Sequence, residues 1–120
     1  MGIRLLLIED DAALGQILSW HFEDLGCHVT VAPDCAAAAS LIGANRYDLV
    51  LMDYQLPDGV SLSLLPKLRE TQPESPLVLM SAVAEPKVVQ SALESGVSAF
   101  APKPVDPATL ATTLEALMVA

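Results

Sequence analysis

Leu5-Leu6-Leu7-Ile8-Glu9-Asp10-Asp11 and Leu49-Val50-Leu51-Met52-Asp53 are two short apolar runs that end in carboxylates. Runs of this length and composition are typical of strands that are covered on both faces of a parallel sheet. If they are neighbouring strands, their carboxylates meet at one edge of the sheet. Carboxylates a few ångströms apart repel strongly, so the cluster favours a hard divalent cation among them. Together with the lysine of Phe100-Ala101-Pro102-Lys103-Pro104, an aspartate nucleophile and a metal suggest phosphoryl chemistry.

Apolar runs alternate along the chain with stretches of helical period, which is the pattern of repeated βα units around a parallel sheet. Five units are predicted. The strands are expected at about 3–8, 28–32, 48–53, 77–81 and 99–101. The helices are expected at about 11–25, in an alanine-rich stretch capped by Asp34, in a stretch that ends near 71, at about 86–95, and from 106 onwards. The predicted fold class is α/β: a doubly wound, flavodoxin-like, five-stranded parallel sheet with five helices and strand order 2-1-3-4-5.

Each helix is expected to bury an apolar stripe and to end at a recognisable residue. Gly26 and Gly96 are plausible C-terminal stops for the first and fourth helices. Pro66 conflicts with a helix interior and predicts a late start or a kink in the third helix. The stripes predicted for the first, fourth and fifth helices are Leu14, Ile17, Leu18 and Leu25; Val88, Val89, Ala92 and Leu93; and Leu110, Leu114, Leu117 and Met118.

Length and composition favour one soluble, cytoplasmic domain over residues 1–120. The chain is 52% hydrophobic, which is enough for a core of its own. Its formal net charge of −9, with six Lys and Arg, offers no basic stripe for nucleic acid. No apolar stretch is long enough to span a membrane. Cys27 and Cys35 lack metal-site spacing and are expected to be ordinary buried thiols.

The residues that could bind a ligand or take part in a reaction are predicted to lie beyond the carboxyl ends of the strands, where ligands collect in open parallel sheets. Glu9 and Asp10 close the first predicted strand, and Asp53 closes the third. Ser81 closes the fourth strand, and Lys103 follows the fifth. With the predicted strand order, strands one, three and four are adjacent, which brings these acids and the serine together.

Over nearly its whole length, the chain resembles a two-component response-regulator receiver domain of the chemotaxis-receiver type. The features that carry the resemblance occur in a fixed order and spacing, with Ser81 and Lys103 lying 28 and 50 residues after Asp53. They are the acidic pair Glu9-Asp10, Asp53 followed by Leu56-Pro57-Asp58-Gly59, the step Ser81-Ala82, Phe100, and Lys103-Pro104.

The resemblance implies a phosphoacceptor site. Asp53 would take a phosphoryl group from the phosphohistidine of a sensor histidine kinase or a phosphotransfer protein. The implied cofactor is Mg²⁺, held by Asp10, Asp53 and the backbone carbonyl of Gln55, with Glu9 acting through bound water. Asp11 is expected to cap the first helix.

The remaining residues implied by the resemblance would turn a change of charge at Asp53 into a change of conformation. Lys103 would pair with Asp53 before phosphorylation and with the phosphoryl group afterwards, and the peptide bond to Pro104 would be cis. Ser81 would donate to a phosphoryl oxygen, drawing its loop inwards and vacating space for Phe100. Phe100 stands where tyrosine is common in the family, so an output contact through a phenolic hydroxyl is not expected; simple packing of Phe100 against the fourth helix stays an alternative.

Gln55 and Val83 are interpreted as tuning the lifetime of the phosphorylated state. Both flank the path of a hydrolytic water, which a bulky or apolar side chain could exclude. The hypothesis is slow autodephosphorylation, so the chain catalyses only its own phosphorylation and slow dephosphorylation and is not an enzyme acting on other substrates.

Three other functions stay open as alternatives. A phosphatase of the haloacid dehalogenase type also uses an aspartate nucleophile, but it needs a second acid where this chain has Gln55. A flavodoxin-like cofactor site is disfavoured because the turn after the first strand is acidic. A receiver that only docks, without phosphorylation, is the third alternative.

The output surface is expected on the fourth helix, fifth strand and fifth helix, where an effector domain or a homodimer could form. The dimer typical of receivers attached to winged-helix domains is disfavoured, because Ser98 and Ala99 replace its acids and the fifth helix has no Lys or Arg. A stand-alone receiver, a fused receiver and a hybrid-kinase module all stay open.

Overall fold

A computed structural model describes residues 2–82 and 85–119 of the chain. The strands are β1 (Ile3–Ile8), β2 (Cys27–Ala32), β3 (Leu49–Asp53), β4 (Gln55–Leu56), β5 (Gly59–Val60), β6 (Leu77–Ser81) and β7 (Ala99–Pro102). The helices are α1 (Ala12–Asp24), α2 (Cys35–Ala44), α3 (Leu65–Thr71), α4 (Pro86–Glu94) and α5 (Pro107–Val119). A 3₁₀ helix, Ser61–Leu64, precedes α3. None of the helices in the described part of the chain could cross a lipid bilayer, given their length and polarity.

The main sheet has five parallel strands in the order β2-β1-β3-β6-β7. Because β4 and β5 form a separate hairpin, β6 and β7 are the fourth and fifth strands of the main sheet. The order therefore confirms the predicted 2-1-3-4-5 arrangement and the doubly wound α/β fold. Every residue of β3 and β6 is buried. Helices cover both faces of these central strands, which explains why their sequences are apolar throughout rather than alternating.

Successive residues of the strands serve two separate cores, because side chains alternate between the faces of a sheet. Leu6 and Met52 belong to the core that packs against α2, α3 and α4. Leu7 and Leu51 belong to the core that packs against α1 and α5. Helices therefore cover both faces of the sheet, and the ends of the strands remain available for a site.

The predicted apolar stripes were wrong at four positions. Ile17 and Leu25 of the α1 region are about half exposed, as is Leu93 on α4, and Met118 on α5 is 38% exposed. In α1 the predicted Leu18 is buried, but its buried partner is Phe22, which the predicted stripe omitted. These residues, four apart, project onto the face that meets the sheet. The helix period shows that an apolar face exists, but the neighbouring element decides which residues it covers.

Local signals in the loops were read more accurately than the helix faces. Both predicted stops are confirmed, since Gly26 and Gly96 follow α1 and α4 with φ of 92° and 110°, where L side chains are strained. The late start of the third helix is also confirmed, because α3 begins at Leu65 and places Pro66 in its first turn.

Cys27 and Cys35 are half-buried free thiols rather than the buried ones expected.

We expect Leu51→Ala to lower the free energy of unfolding by about 2 to 5 kcal/mol, because it leaves a cavity in the middle of β3 where the side chain has no exposed surface. The matched control is Leu93→Ala, whose side chain is 46% exposed and whose loss should cost about 0.5 kcal/mol. Urea denaturation of both variants measures the difference. Equal costs would contradict the assignment of Leu51 to the core.

Candidate functional site

The strand registers bring the predicted site residues to one edge of the sheet. Ile8 on β1 pairs with Met52 on β3. Glu9, which follows β1, is therefore a neighbour of Asp53, the last residue of β3. Asp53 in turn pairs with Met80 on β6, and Ser81 pairs with Pro102 on β7. The carboxyl ends of the four strands therefore converge.

Three carboxylates meet at this edge. One oxygen each of Glu9, Asp10 and Asp53 lies within 4.8 Å of the other two. Glu9 and Asp53 are buried, with exposed fractions of 2% and 7%, whereas Asp10 is exposed. The structure thus has the acidic cluster that the ends of the first and third strands predicted, with its exposed member toward solvent.

Lys103 is the cation of the cluster. Its Nζ lies 2.9 Å from Glu9 Oε1 and 3.1 Å from Asp53 Oδ2. The Lys103–Pro104 peptide bond is cis, as the resemblance implied. The Lys103 backbone N–H donates to the Ser81 carbonyl at 2.8 Å, which ties the lysine to β6. The contact with Asp53 was expected, whereas the contact with Glu9 was missed.

Glu9 is held on both of its side-chain oxygens. Oε1 accepts from Lys103, and Oε2 accepts from the backbone N–H of Asp11 at 3.1 Å. Its own N–H donates to the Ala32 carbonyl. The sequence did contain a signal for the missed pairing, because a carboxylate that directly follows the apolar run Leu5-Leu6-Leu7-Ile8 is expected to be buried and to need a partner.

The pKa values of Glu9 and Lys103 are shifted by burial and by the hydrogen bonds between the two side chains. Burial raises the pKa of Glu9, against the lowering effect of the Lys103 and Asp11 hydrogen bonds. Burial alone would lower the pKa of Lys103, but hydrogen bonds to Glu9 and Asp53 outweigh it and raise that pKa. A raised lysine pKa stabilises the fold below the ordinary lysine value, and this contribution is lost as the pH rises through the raised value. Lys103 therefore carries its positive charge at neutral pH.

Two further aspartates position the loops around the cluster. Asp11 caps α1, since its Oδ1 accepts from the Leu14 N–H at 3.0 Å, as predicted. Asp58 lies in the turn between β4 and β5, and its carboxylate accepts from the N–H groups of Cys35 and Ala36 at 2.8 and 3.0 Å. The hydrogen bond from the Cys35 N–H is the main reason why the pKa of Asp58 is lowered. Sequence reasoning assigned Asp58 only to a turn and missed this cap of α2.

The β4-β5 hairpin, which the sequence analysis did not anticipate, carries Gln55 at the exposed start of β4, two residues after Asp53. The Asp58 cap fastens this hairpin, and Gln55 with it, to α2. Val83, the other residue assigned to lifetime tuning, lies outside the described residues.

The two predicted switch residues lie on neighbouring strands. Ser81 is buried at the end of β6, with 2% of its surface exposed. Phe100 is half-buried on β7, where it pairs with Leu79 and packs against the core that α4 also covers. Ser81 therefore adjoins the acidic cluster, while Phe100 lies two residue pairs further from the strand ends.

The donor set fits a hard divalent cation. Three carboxylates and one ammonium give the cluster a formal charge of −2. Carboxylate oxygens in a group this tight are the ligands that Mg²⁺ prefers, and the exposed Asp10 leaves the site open to solvent. The arrangement suits the binding of a doubly charged cation next to a buried aspartate.

The structure is a doubly wound α/β domain with a cluster of carboxylates where its central strands end. Comparison with known proteins identifies the family. The model of the response regulator receiver domain matches residues 5–115. The chain therefore belongs to the receiver domains of two-component response regulators, which are signalling domains.

The chain is 38% identical over 115 residues to the transcriptional activator protein PfeR of Pseudomonas aeruginosa, covering 96% of this chain and 37% of PfeR. It thus spans about a third of the length of that relative. The non-phosphorylated HemR receiver domain from Leptospira biflexa is 30% identical with a TM-score of 0.90, covering 98% of this chain and 94% of that one. A CheY-like receiver domain protein from Methanospirillum hungatei has a TM-score of 0.93 at 24% identity, covering 99% and 95%, and supports the fold alone.

We expect Lys103→Met to lower the free energy of unfolding by about 2 to 4 kcal/mol in metal-free buffer, because Glu9 and Asp53 then face each other without a cation. Millimolar Mg²⁺ should recover part of the loss by restoring positive charge. Lys87→Met, at an exposed lysine of α4, is the control and should change stability by about 0.5 kcal/mol or less. Urea titrations with and without Mg²⁺ test this, and an unchanged Lys103→Met would refute the role of the ion pairs.

Proposed function

We propose that this domain is the phosphoacceptor switch of a two-component phosphorelay and that Asp53 is the residue phosphorylated. The observation that supports the proposal is the position of Asp53, a buried carboxylate within 4.8 Å of two others and in contact with Lys103. Such a carboxylate is oriented, partly screened from water and placed where negative charge can be offset.

The chemical step needs little from the protein beyond positioning. An Asp53 oxygen attacks the phosphorus of a phosphohistidine, an O–P bond forms, and the N–P bond breaks with its electron pair returning to the imidazole. A carboxylate nucleophile carries no proton that must be removed, so the step needs no general base. Lys103 lies close enough to exchange its Asp53 contact for one with the transferred group, as a compact point charge suited to phosphate.

The residues proposed to hold Mg²⁺ are Asp10, Asp53 and the backbone carbonyl of Gln55, with Glu9 reaching it through water. When bound, the cation offsets the repulsion between the carboxylates and the incoming anion. Asp10 is the exposed member and faces the entering group. Glu9 is already committed to Lys103 and Asp11, which favours an indirect role for it.

Ser81 and Phe100 are proposed to transmit the change. The acyl phosphate adds about 1.5 to 2 negative charges and three acceptor oxygens, to which the Ser81 hydroxyl would donate. Movement of the chain after β6 would let Phe100 rotate inwards between β7 and α4. The surface formed by α4, β7 and α5 would then present a different shape to an effector domain or to a second copy.

Multiple-turnover phosphatase activity is not favoured, because Gln55 stands where an aspartate phosphatase of the haloacid dehalogenase type needs an acid. The proposed donors are a sensor histidine kinase or a phosphotransfer protein. Because their phosphohistidine derives from ATP, the domain would act in the cytoplasm. We propose that residues 1–120 form one receiver unit, with neither nucleic acid nor a membrane as a direct partner.

Asp53→Asn should abolish labelling by acetyl phosphate in the presence of Mg²⁺, because an amide cannot form the acyl phosphate. Intact-mass spectrometry measures the added phosphoryl group. The matched control is Asp24→Asn, an exposed aspartate on α1 outside the cluster, which should be labelled like the unmodified chain. Labelling that survives Asp53→Asn would refute the phosphoacceptor assignment, and unlabelled wild-type protein would favour a receiver that only docks.

Ser81→Ala should still accept phosphate at Asp53 but lose the conformational response, because no hydroxyl remains to draw the loop inwards. Ring resonances of Phe100, followed by NMR before and after addition of acetyl phosphate, report the response. Ser40→Ala, at an exposed serine of α2, serves as the control. If Phe100 shifted equally in Ser81→Ala, the proposed coupling would be wrong.

We expect slow autodephosphorylation, because neither Gln55, two residues after Asp53, nor Val83 has a side chain that can act as a base toward a hydrolytic water. Phosphate release from the isolated, phosphorylated domain measures the lifetime. Gln55→Glu, which supplies a carboxylate that could orient water, should shorten it. A half-life of seconds in the unmodified domain would count against the idea.

A further inference from the structure

An apolar groove of about 350 Å³ lies between α1 and α5 at the amino edge of the sheet, opposite the acidic cluster. Ile3, Cys27 and Leu49, which are the first residues of β1, β2 and β3, line it. Leu25 and Met118 also line it, although 53% and 38% of their surfaces are exposed. The volume is within the range of about 300 to 1,000 Å³ seen for ligand pockets. The groove therefore has room for one or two large apolar side chains.

The surroundings of the groove are acidic. Glu115 of α5 lines it, and Glu23 and Asp24 directly precede Leu25 at the exposed end of α1. The residues of α1, β2 and α5 include no Lys or Arg. Arg4 follows Ile3 but lies on the opposite face of the sheet, with its guanidinium 5.5 Å from the centre of the Tyr47 ring. Within the described residues, an apolar centre is thus combined with a negative rim on α1 and α5, two helices that contain no Lys or Arg.

We propose that this groove docks a basic amphipathic helix of a partner protein. The apolar face of the helix would place a leucine, methionine or phenylalanine anchor between Leu25 and Met118, and flanking lysines or arginines would meet Glu23, Asp24 and Glu115. A second copy of this chain is disfavoured as occupant, because its own acidic rim would repel this one. Anionic lipid surfaces are disfavoured for the same reason.

The docking site is separate from the proposed phosphoacceptor site. Leu49 and Asp53 occupy opposite ends of β3, about 13 Å apart at the usual rise per residue. The groove is built from the starts of strands and parts of α1 and α5, whereas the acidic cluster lies where β1 and β3 end. Docking is therefore constitutive, and its failure would leave the phosphoacceptor proposal untouched.

The probe is a synthetic helix of about 18 residues with leucines on one face and lysines on the other. Isothermal titration calorimetry should show saturable binding of one peptide per domain. Maleimide labelling should show Cys27 protected by about fivefold or more, while Cys35, at the start of α2 on the other side of the sheet, changes by less than about twofold. The same peptide with glutamates in place of lysines should not bind.

Two kinds of variant test the anchor and the rim. Leu25→Asp and Met118→Glu should each abolish binding; both positions are exposed enough to tolerate the change, and circular dichroism and acetyl phosphate labelling check that each variant is folded. Glu23→Lys with Asp24→Lys should weaken binding by about tenfold. Glu70→Lys with Glu74→Lys, exposed positions near α3 with the same change in net charge, should weaken it by less than about twofold.

Several outcomes would overturn the proposal. Equal weakening by the two double variants would reduce the binding to non-specific attraction, and unprotected Cys27 would place the peptide elsewhere. An altered affinity in Asp53→Asn would contradict a site independent of phosphorylation. Association of the domain with itself, or binding to phosphatidylcholine vesicles, that Leu25→Asp abolishes would assign the groove to a second copy or to a lipid surface instead.

Discussion

Lys103 reaches two buried carboxylates that belong to different strands, Glu9 after β1 and Asp53 at the end of β3. Without this cation, the ends of adjacent central strands would carry like charges in a poorly solvated place, where repulsion is strong. The backbone of Lys103 is bound to Ser81 as well, so one residue connects β1, β3, β6 and β7. The site depends on this connection, because a change of charge at Asp53 acts on Lys103 and, through it, on groups of all four strands.

The same electrostatics make the site responsive. A cluster with a formal charge of −2 could be balanced by a divalent cation, and under the proposed function a phosphoryl group on Asp53 would change the balance again. Each change would alter the carboxylate or phosphoryl oxygen that Lys103 contacts. Because Ser81 and Phe100 lie on the strands that Lys103 joins, a change of partner at the edge can become a change of surface at α4, β7 and α5.

The two ends of the sheet differ in character. Charged residues gather at the carboxyl edge, where strand ends leave main-chain groups and side chains exposed to ligands. At the amino edge, the strands begin with Ile3, Cys27 and Leu49, and the ends of α1 and α5 leave an apolar groove between them. A domain built in this way can keep a constitutive contact at one edge while it signals at the other.

The sequence by itself determined the five strands of the main sheet, their order, the caps at Asp11 and Asp34, the stops at Gly26 and Gly96, and the members of the acidic cluster. These depend on local period, on turn chemistry and on the convergence of the carboxyl ends of parallel strands. Only the tertiary structure decided that Lys103 bonds Glu9, 94 residues away, that Asp58 caps α2, and that Leu25 and Met118 stay exposed. Local patterns carry no information on which distant group fills a given space. Long-range packing selects the partner, and here it also selected which apolar residues were left at the surface.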